Sequence, residues 1–204
     1  MKYGTPASCI ARAADLATRY PAAAELLRFY HRLLRAQRDA STYEKLVEAV
    51  GAFAPKELRE RTDFLERVFR QVRASATLPQ PGRQGLSALC PCCGDKPQVA
   101  VLREEQHGAL RNLACATCAW EWSFQRILCP ACGEDRFDSL PVFHAEEYPA
   151  MRVEACDTCH VYLLCVDMTK DGRAVPIVDD VAALSLHLWA GAQGYHRLHP
   201  GLFF

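Results

Sequence analysis

Along the first 78 residues the apolar positions recur every three or four residues, the spacing of one helix face. Ile10, Ala13, Leu16, Ala17 and Tyr20 form the first such stripe. Thr5 followed by Pro6 opens it as an N-cap and first-turn pair, and Pro21 stops it. A second stripe of Leu26, Leu27, Tyr30, Leu33 and Leu34 predicts a helix over 22–38, with Arg28, Arg32, Arg35 and Arg38 beside it. Ser41 with Glu44 three residues later reads as a capping box opening a shorter helix through Val50, ended near Gly51. Pro55 opens a fourth helix whose apolar face is Leu58, Leu65, Val68, Phe69 and Val72. Together these elements predict a plain helical bundle with a modest shared core.

The pattern changes after that. Pro79, Pro81, Gly82 and Gly85 interrupt any regular element between 76 and 88, which reads as a linker. Beyond it the apolar positions alternate. Val99 and Val101 read as strand after Pro97, and Trp120, Trp122 and Phe124 put three aromatics on one strand face. Val161–Val166 is an apolar run of strand length. Asp179 or Asp180 reads as the N-cap of a last helix through Val181, Leu184, Leu188 and Trp189, fading at Gly191 and Gly194.

Composition narrows the class. The chain is 50% hydrophobic, and 24 Lys+Arg balance 24 Asp+Glu. That excludes a disordered chain and argues against a protein that holds nucleic acid by its whole-molecule charge. The longest apolar stretch, 181–195, is short for a bilayer span and contains Ser185, His187, Gln193 and two glycines. Arg12, Asp15, Arg19 and Pro6 break up any signal-like apolar run near the start, so a cytoplasmic protein without membrane insertion is expected.

Cysteine carries the chemistry. There are 11, and 10 lie after residue 89. In a cytosolic chain that density points to metal or thiol chemistry rather than disulfides. Eight fall into C-x-x-C pairs: Cys90/Cys93, Cys115/Cys118, Cys129/Cys132 and Cys156/Cys159, separated by 21, 10 and 23 residues. Two long gaps around a short one mark two tandem units. Each supplies four thiolates, the closed tetrahedral set of a structural zinc or a single thiolate-bound iron. A tight turn brings both sulfurs of a pair to one edge of the metal, and Gly94 and Gly133 stand where that turn needs positive φ. The units also repeat: Cys90-Pro-Cys-Cys-Gly94 matches Cys129-Pro-Ala-Cys-Gly133, and Cys115-Ala-Thr-Cys118 matches Cys156-Asp-Thr-Cys159.

The expected cofactors are therefore two metal ions, iron or zinc. Site 1 is Cys90, Cys93, Cys115 and Cys118; site 2 is Cys129, Cys132, Cys156 and Cys159. Cys92 sits inside the first knuckle as a possible competing ligand or reactive thiol, while Cys165 and Cys9 read as packed residues. Cys156-Asp-Thr-Cys159-His160 has the form of a c-type haem attachment motif, but its cysteines already have partners at metal-site distance. His107 and His144 lie between paired knuckles, where no ligand is missing. Neither a Ser/His/Asp set, nor a phosphate-cradling loop, nor a zinc site with an open position is recognisable. The chain reads as a binding protein, not an enzyme.

These residues resemble the FdhE family of formate dehydrogenase accessory proteins. The resemblance rests on Cys90-Pro-Cys-Cys-Gly94 with Pro97, on Leu113 to Trp122 around the second knuckle, and on Cys129-Pro-Ala-Cys-Gly133. It continues through Val153-Glu-Ala-Cys156-Asp-Thr-Cys159, Asp180 to Leu186, and Gly194-Tyr195-His-Arg197. The early segments Ala11 to Pro21 and on to Ala36-Gln37 are also similar. The resemblance implies an α+β multidomain chain: a helical bundle, two tandem rubredoxin-like or zinc-ribbon four-cysteine modules, and a C-terminal helix. The expected boundaries are 1–78, a 79–88 linker, 89–126, 127–177 and 178–204. It further implies a cytoplasmic maturation factor that binds the formate dehydrogenase catalytic subunit, with the eight cysteines as ligands of structural or redox metals. Family members are usually longer in the helical half.

Two rival functions have distinct signatures: a nucleic-acid-binding zinc ribbon, and an iron-based redox or electron-transfer protein. The ribbon reading lacks its basic hairpins, because residues 86–204 hold 9 Lys+Arg against 15 Asp+Glu. Residues before 86 hold 15 against 9, so the neutral total conceals two opposed halves that attract each other or offer different charges to a partner. Units of this size cannot bury enough surface to fold alone, so metal removal is expected to unfold the C-terminal half and leave the first 78 residues helical.

Overall fold

Local chemistry sets the first helices. In the computed structural model, which describes residues 5–59, 66, 87–105 and 108–201, α1 spans Pro6–Arg19. Thr5 Oγ1 accepts the Ser8 N–H at 3.2 Å, and Tyr20 closes the helix by donating to Leu16 O at 2.8 Å. A 3₁₀ turn at Pro21–Ala23 leads into α2 (Ala24–Asp39). The next helix, α3 (Tyr43–Gly51), is capped one residue later than the sequence suggests: Thr42 Oγ1, not Ser41, accepts the Lys45 N–H at 3.4 Å. The fourth helix begins as α4 (Lys56–Arg59). Its expected outer positions Leu65, Val68, Phe69 and Val72, most of the 79–88 linker, and His107 lie outside the described residues.

The strands are β1 (Pro97–Glu105), β2 (Gly108–Cys115), β3 (Glu121–Ser123), β4 (Val142–His144), β5 (Met151–Ala155), β6 (Val161–Asp167) and the short β7 (His196–Arg197). Among the described residues they form one sheet in the order β3-β2-β1-β6-β5-β4, with β7 on β6. The two cysteine units are thus joined edge to edge. β1 runs parallel to β6, with Val99 opposite Leu164 and Val101 opposite Val166, while the other pairs along the path are antiparallel. That junction explains the unbroken apolar run in β6. As a central strand it buries Leu164 and Val166 on one face and Leu163 and Cys165 on the other. The aromatic stripe also takes shape: Trp122 and Phe124 are buried with Trp120 packed beside them, although β3 itself is only three residues long.

The C-terminal helix comes as two segments, α5 (Pro176–Ala182) and α6 (Leu184–Ala192). Asp179 and Asp180 are not its N-cap. The cap position is Val175, and both carboxylates are buried inside α5. Asp179 Oδ2 does reach back to the Val175 N–H at 2.8 Å, but its main partner is Arg12 of α1, whose Nε donates to both carboxylate oxygens at 3.2 and 3.0 Å. Arg12 Nη2 also donates to Asp171 at 2.8 Å. Asp180 turns the other way, accepting from Gln98 of β1 at 2.9 Å and from Arg197 of β7 at 2.8 and 3.1 Å. The basic half therefore meets the acidic one through a single buried arginine, Arg12, paired with Asp179 and Asp171, while the Asp180 pair ties the acidic half to itself.

Packing follows the same seam. Leu16, Leu27, Leu33, Leu46 and Val50 share one core with Val175, Val178 and Val181 of the C-terminal region. A second core fills the space between the sheet and α6, and Tyr20 stacks on Tyr148 at 4.8 Å. This sharing revises the expected response to metal removal. Unfolding of the C-terminal half strips a wall from the helical core, so helical signal should fall together with strand signal.

Removing one member of a buried pair leaves an uncompensated charge. We expect Arg12→Met to cost about 3–5 kcal/mol in urea unfolding, and Arg12→Met/Asp179→Leu to regain most of it. Acid should act through Asp180. Burial raises its carboxyl, but Arg197 and His187 outweigh that and hold it well below the usual carboxylate range. A depressed pKa contributes stability above the unfolded-state value, lost as pH falls through the folded one. Asp180→Asn should therefore flatten the fall in unfolding free energy below about pH 4.

Candidate metal centres

Each of the four knuckles is built by the same turn. The N–H of its first cysteine donates to the carbonyl five residues on: Cys90 to Asp95, Cys115 to Trp120, Cys129 to Glu134 and Cys156 to Val161, at 2.8–2.9 Å. The chain must pass through positive φ just after the second cysteine. Gly94 (76°) and Gly133 (79°) do so in the opening knuckles, as their sequence position suggests. In the closing knuckles the same place is held by Ala119 (56°) and His160 (55°), which have no such freedom.

The turns aim backbone donors at sulfur. Cys92 N–H lies 3.4 Å from Cys90 Sγ, Thr117 N–H 3.4 Å from Cys115 Sγ, and Ala131 N–H 3.4 Å from Cys129 Sγ. Such donors favour the thiolate over the thiol. A second pair of ties escapes a reading by cysteine alone. In unit 1 the Thr117 hydroxyl donates to Asp95, and in unit 2 the Thr158 hydroxyl donates to Glu134 at 2.6 Å. Both threonines occupy the third place of a closing C-x-T-C, and both acids follow the glycine of an opening knuckle. The internal repeat held that signal. Glu134 is further gripped by Arg136 and Thr158, which lower its carboxyl to about 2.

The structure brings the eight paired cysteines together as two groups of four. In each, one sulfur per residue lies within 4.8 Å of the other three. Cys90–Cys118 and Cys93–Cys115 are 3.5 and 3.4 Å apart, and Cys129–Cys159 and Cys132–Cys156 are both 3.7 Å apart. Disulfides would be far shorter, near ~2.05 Å. A tetrahedral ion with Zn–S bonds of about 2.3 Å has S–S edges of about 3.8 Å. The donor set fits such an ion: four sulfurs with no place left for a fifth group. Cys90, Cys115 and Cys118 are buried, as are Cys129 and Cys156, while Cys93 and Cys132 reach the surface.

The remaining candidates stand apart. Cys92 is half-buried beside the first group and outside it. Cys165 is fully buried in β6, where burial pushes its thiol far up, and Cys9 packs on the helical core. His144 and His160 are exposed and join neither group. The sulfurs of the haem-like Cys156–His160 motif are shared with Cys129 and Cys132.

A model of the FdhE central domain matches residues 89–126, and a model of the FdhE C-terminal domain matches residues 127–204. A "Protein FdhE homolog" of Aquifex aeolicus is 40% identical over 111 residues, 53% of this chain and 39% of that protein. One of Pseudomonas putida is 35% identical over 148 residues, 68% of this chain and 46% of that protein. The chain thus spans less than half the length of these curated relatives. The crystal structure of the FdhE protein from Pseudomonas aeruginosa shares the fold, with a TM-score of 0.81 over 98% of this chain and 95% of that one, at 21% identity.

Two measurements check the site. Cys118→Ser should halve the metal content per chain, whereas Cys92→Ser should leave it unchanged by elemental analysis. The left-handed positions should respond in opposite directions. No atom lies within 4 Å of a Cβ built at Gly133, so Gly133→Ala meets only the backbone penalty and should destabilise by roughly 1 kcal/mol. Ala119→Gly should stabilise by roughly 0.5 kcal/mol, the relief of strain less the added freedom of the unfolded chain.

Proposed function

The chain belongs to the FdhE family, and from that premise we propose that it is a non-catalytic accessory protein for the maturation of formate dehydrogenase. In this reading it binds the catalytic subunit in the cytoplasm. Two metal ions, iron or zinc, are held by Cys90, Cys93, Cys115 and Cys118 and by Cys129, Cys132, Cys156 and Cys159.

The observation that carries the reading is the pair of four-sulfur groups set into one continuous sheet. A set that already offers four sulfurs leaves no ligand position for a substrate, which suits a metal that fixes shape. Two such metals stiffen both halves of the sheet at the start of β1 and of β6, giving a partner a surface with little ordering left to do on binding. No helix among the described residues is long and apolar enough to cross a membrane.

One feature favours a redox use of the same metals. Cys93 and Cys132 are exposed members of the two groups, the side from which an electron would pass to or from a bound partner. Iron would give a visible charge-transfer spectrum that bleaches on reduction. Stoichiometric zinc in colourless, anaerobically purified protein would end the redox reading.

The accessory role is tested by co-purification with a tagged formate dehydrogenase catalytic subunit, and by formate oxidation in a strain lacking this protein. Capture of the subunit and loss of activity are expected. Undisturbed activity with no capture would remove the proposal.

A further inference from the structure

Among the described residues the sheet ends at β4, whose outer edge pairs with no other strand there and lies between two apolar grooves. β4 bonds inward through alternate residues: Phe143 is opposite Val153, and the Ala155 N–H donates to Pro141 O at 3.0 Å. In an antiparallel ladder the intervening residues turn their N–H and C=O groups away, so those of Val142 and His144 face the open side. Side chains alternate as well. Val142, 46% exposed, borders a cavity of about 200 Å³ with Ile127, Phe137 and Leu140. Phe143 borders a second cavity of about 230 Å³ and meets Trp189 edge-on at 4.8 Å. Phe137 is 75% exposed, an unusual state for a phenylalanine.

Charge indicates what the edge would take. Arg111, Arg126 and Arg152 line the first groove against a single carboxylate, Glu154. Arg111 and Arg152 both bond Glu154, at 2.8 and 2.6 Å, and Arg126 is exposed. This arginine-rimmed groove stands in a half of the chain that is acidic as a whole, with 9 Lys+Arg against 15 Asp+Glu, the groove's own residues included. A row of unpaired backbone donors and acceptors is satisfied by another strand, and flanking pockets then select alternate side chains. Pairing β4 with a second copy of itself would bring two cationic rims together.

We infer that β4 is a docking edge on which an extended segment of the partner polypeptide adds as a further strand. Its apolar side chains enter the two grooves in alternation, and an Asp or Glu lies against the arginine rim. This rests on the reading of the chain as an accessory protein with a protein client. Three residues supply few ladder bonds, so most of the affinity comes from the grooves and the rim.

The test titrates overlapping short peptides, tiling a formate dehydrogenase catalytic subunit, against the full metal-loaded chain by fluorescence anisotropy. Capture of the intact subunit is measured in parallel. Arg126→Glu and Val142→Asp alter exposed side chains, and unchanged metal content and helicity will verify their fold. An acidic-apolar peptide should bind, and each variant should weaken it by about tenfold or more, with intact-subunit capture falling in step. Equal capture by wild type and both variants would overturn the docking edge while leaving the accessory role standing, as would capture of the subunit with binding of none of its peptides. Failure to bind either subunit or peptides would overturn both. A concentration-dependent dimer dissolved by Val142→Asp would assign the edge to a second copy and overturn the inference.

Discussion

Two adjacent carboxylates, Asp179 and Asp180, hold this molecule together because they answer to opposite ends of the chain. Neighbouring residues on a helix project about 100° apart, so the two cannot share one partner. Asp179 meets Arg12 from the first helix, and Asp180 meets Arg197 near the C-terminus together with Gln98 at the start of the sheet. Neither carboxylate reaches water. A buried charge tolerates little displacement from its counter-charge, so α5 is fixed against both layers at once. His187 extends the arrangement: its ring lies 2.9 Å from Asp180 O and 3.1 Å from the Tyr162 hydroxyl.

With α5 fixed, the sheet has one face covered and the other left to the cysteine units. Val99, Val101, Val153, Leu164 and Val166 turn toward α5 and α6; Ala100, Leu102, Leu113 and Cys165 turn toward the first knuckles. Both four-sulfur groups hang on the ends of strands that this core orders. Cys115 closes β2, and Cys156 stands between β5 and β6. The parallel seam between β1 and β6 makes their separation a property of the backbone ladder and not of a hinge.

Much of this was legible in the residues, and the remainder was hidden for identifiable reasons. Cysteine spacing is a local signal, because a knuckle closes within six residues, and so the grouping of sulfurs could be read directly. Thr5-Pro6 and Pro21 likewise act on their immediate neighbours. The seam between β1 and β6 leaves no local trace, since each unit looks self-sufficient from its own pattern. Asp179 and Asp180 were misleading because an aspartate before an apolar run is the usual mark of a helix start, and only the distant Arg12 and Arg197 reveal another use. Ser41 and Thr42 are chemically equivalent caps, so sequence could not choose between them. Ala119 and His160 gave no glycine to announce their turn, although the repeat placed them opposite Gly94 and Gly133.

The β1–β6 seam also dictates when the molecule can become itself. A ribosome delivers β1 long before β6, and Val99 must wait for Leu164 while Arg12 waits for a partner 167 residues away. Until then the first cysteine unit carries a bare parallel edge, and the early helices lack the valines that complete their core. Contacts this distant in sequence close slowly, because the loop entropy must be spent before they form. The nascent chain therefore passes through a period in which its first four-sulfur group can assemble on a half-finished sheet. Its vulnerability to aggregation is concentrated there, and it ends only when the last strands leave the exit tunnel.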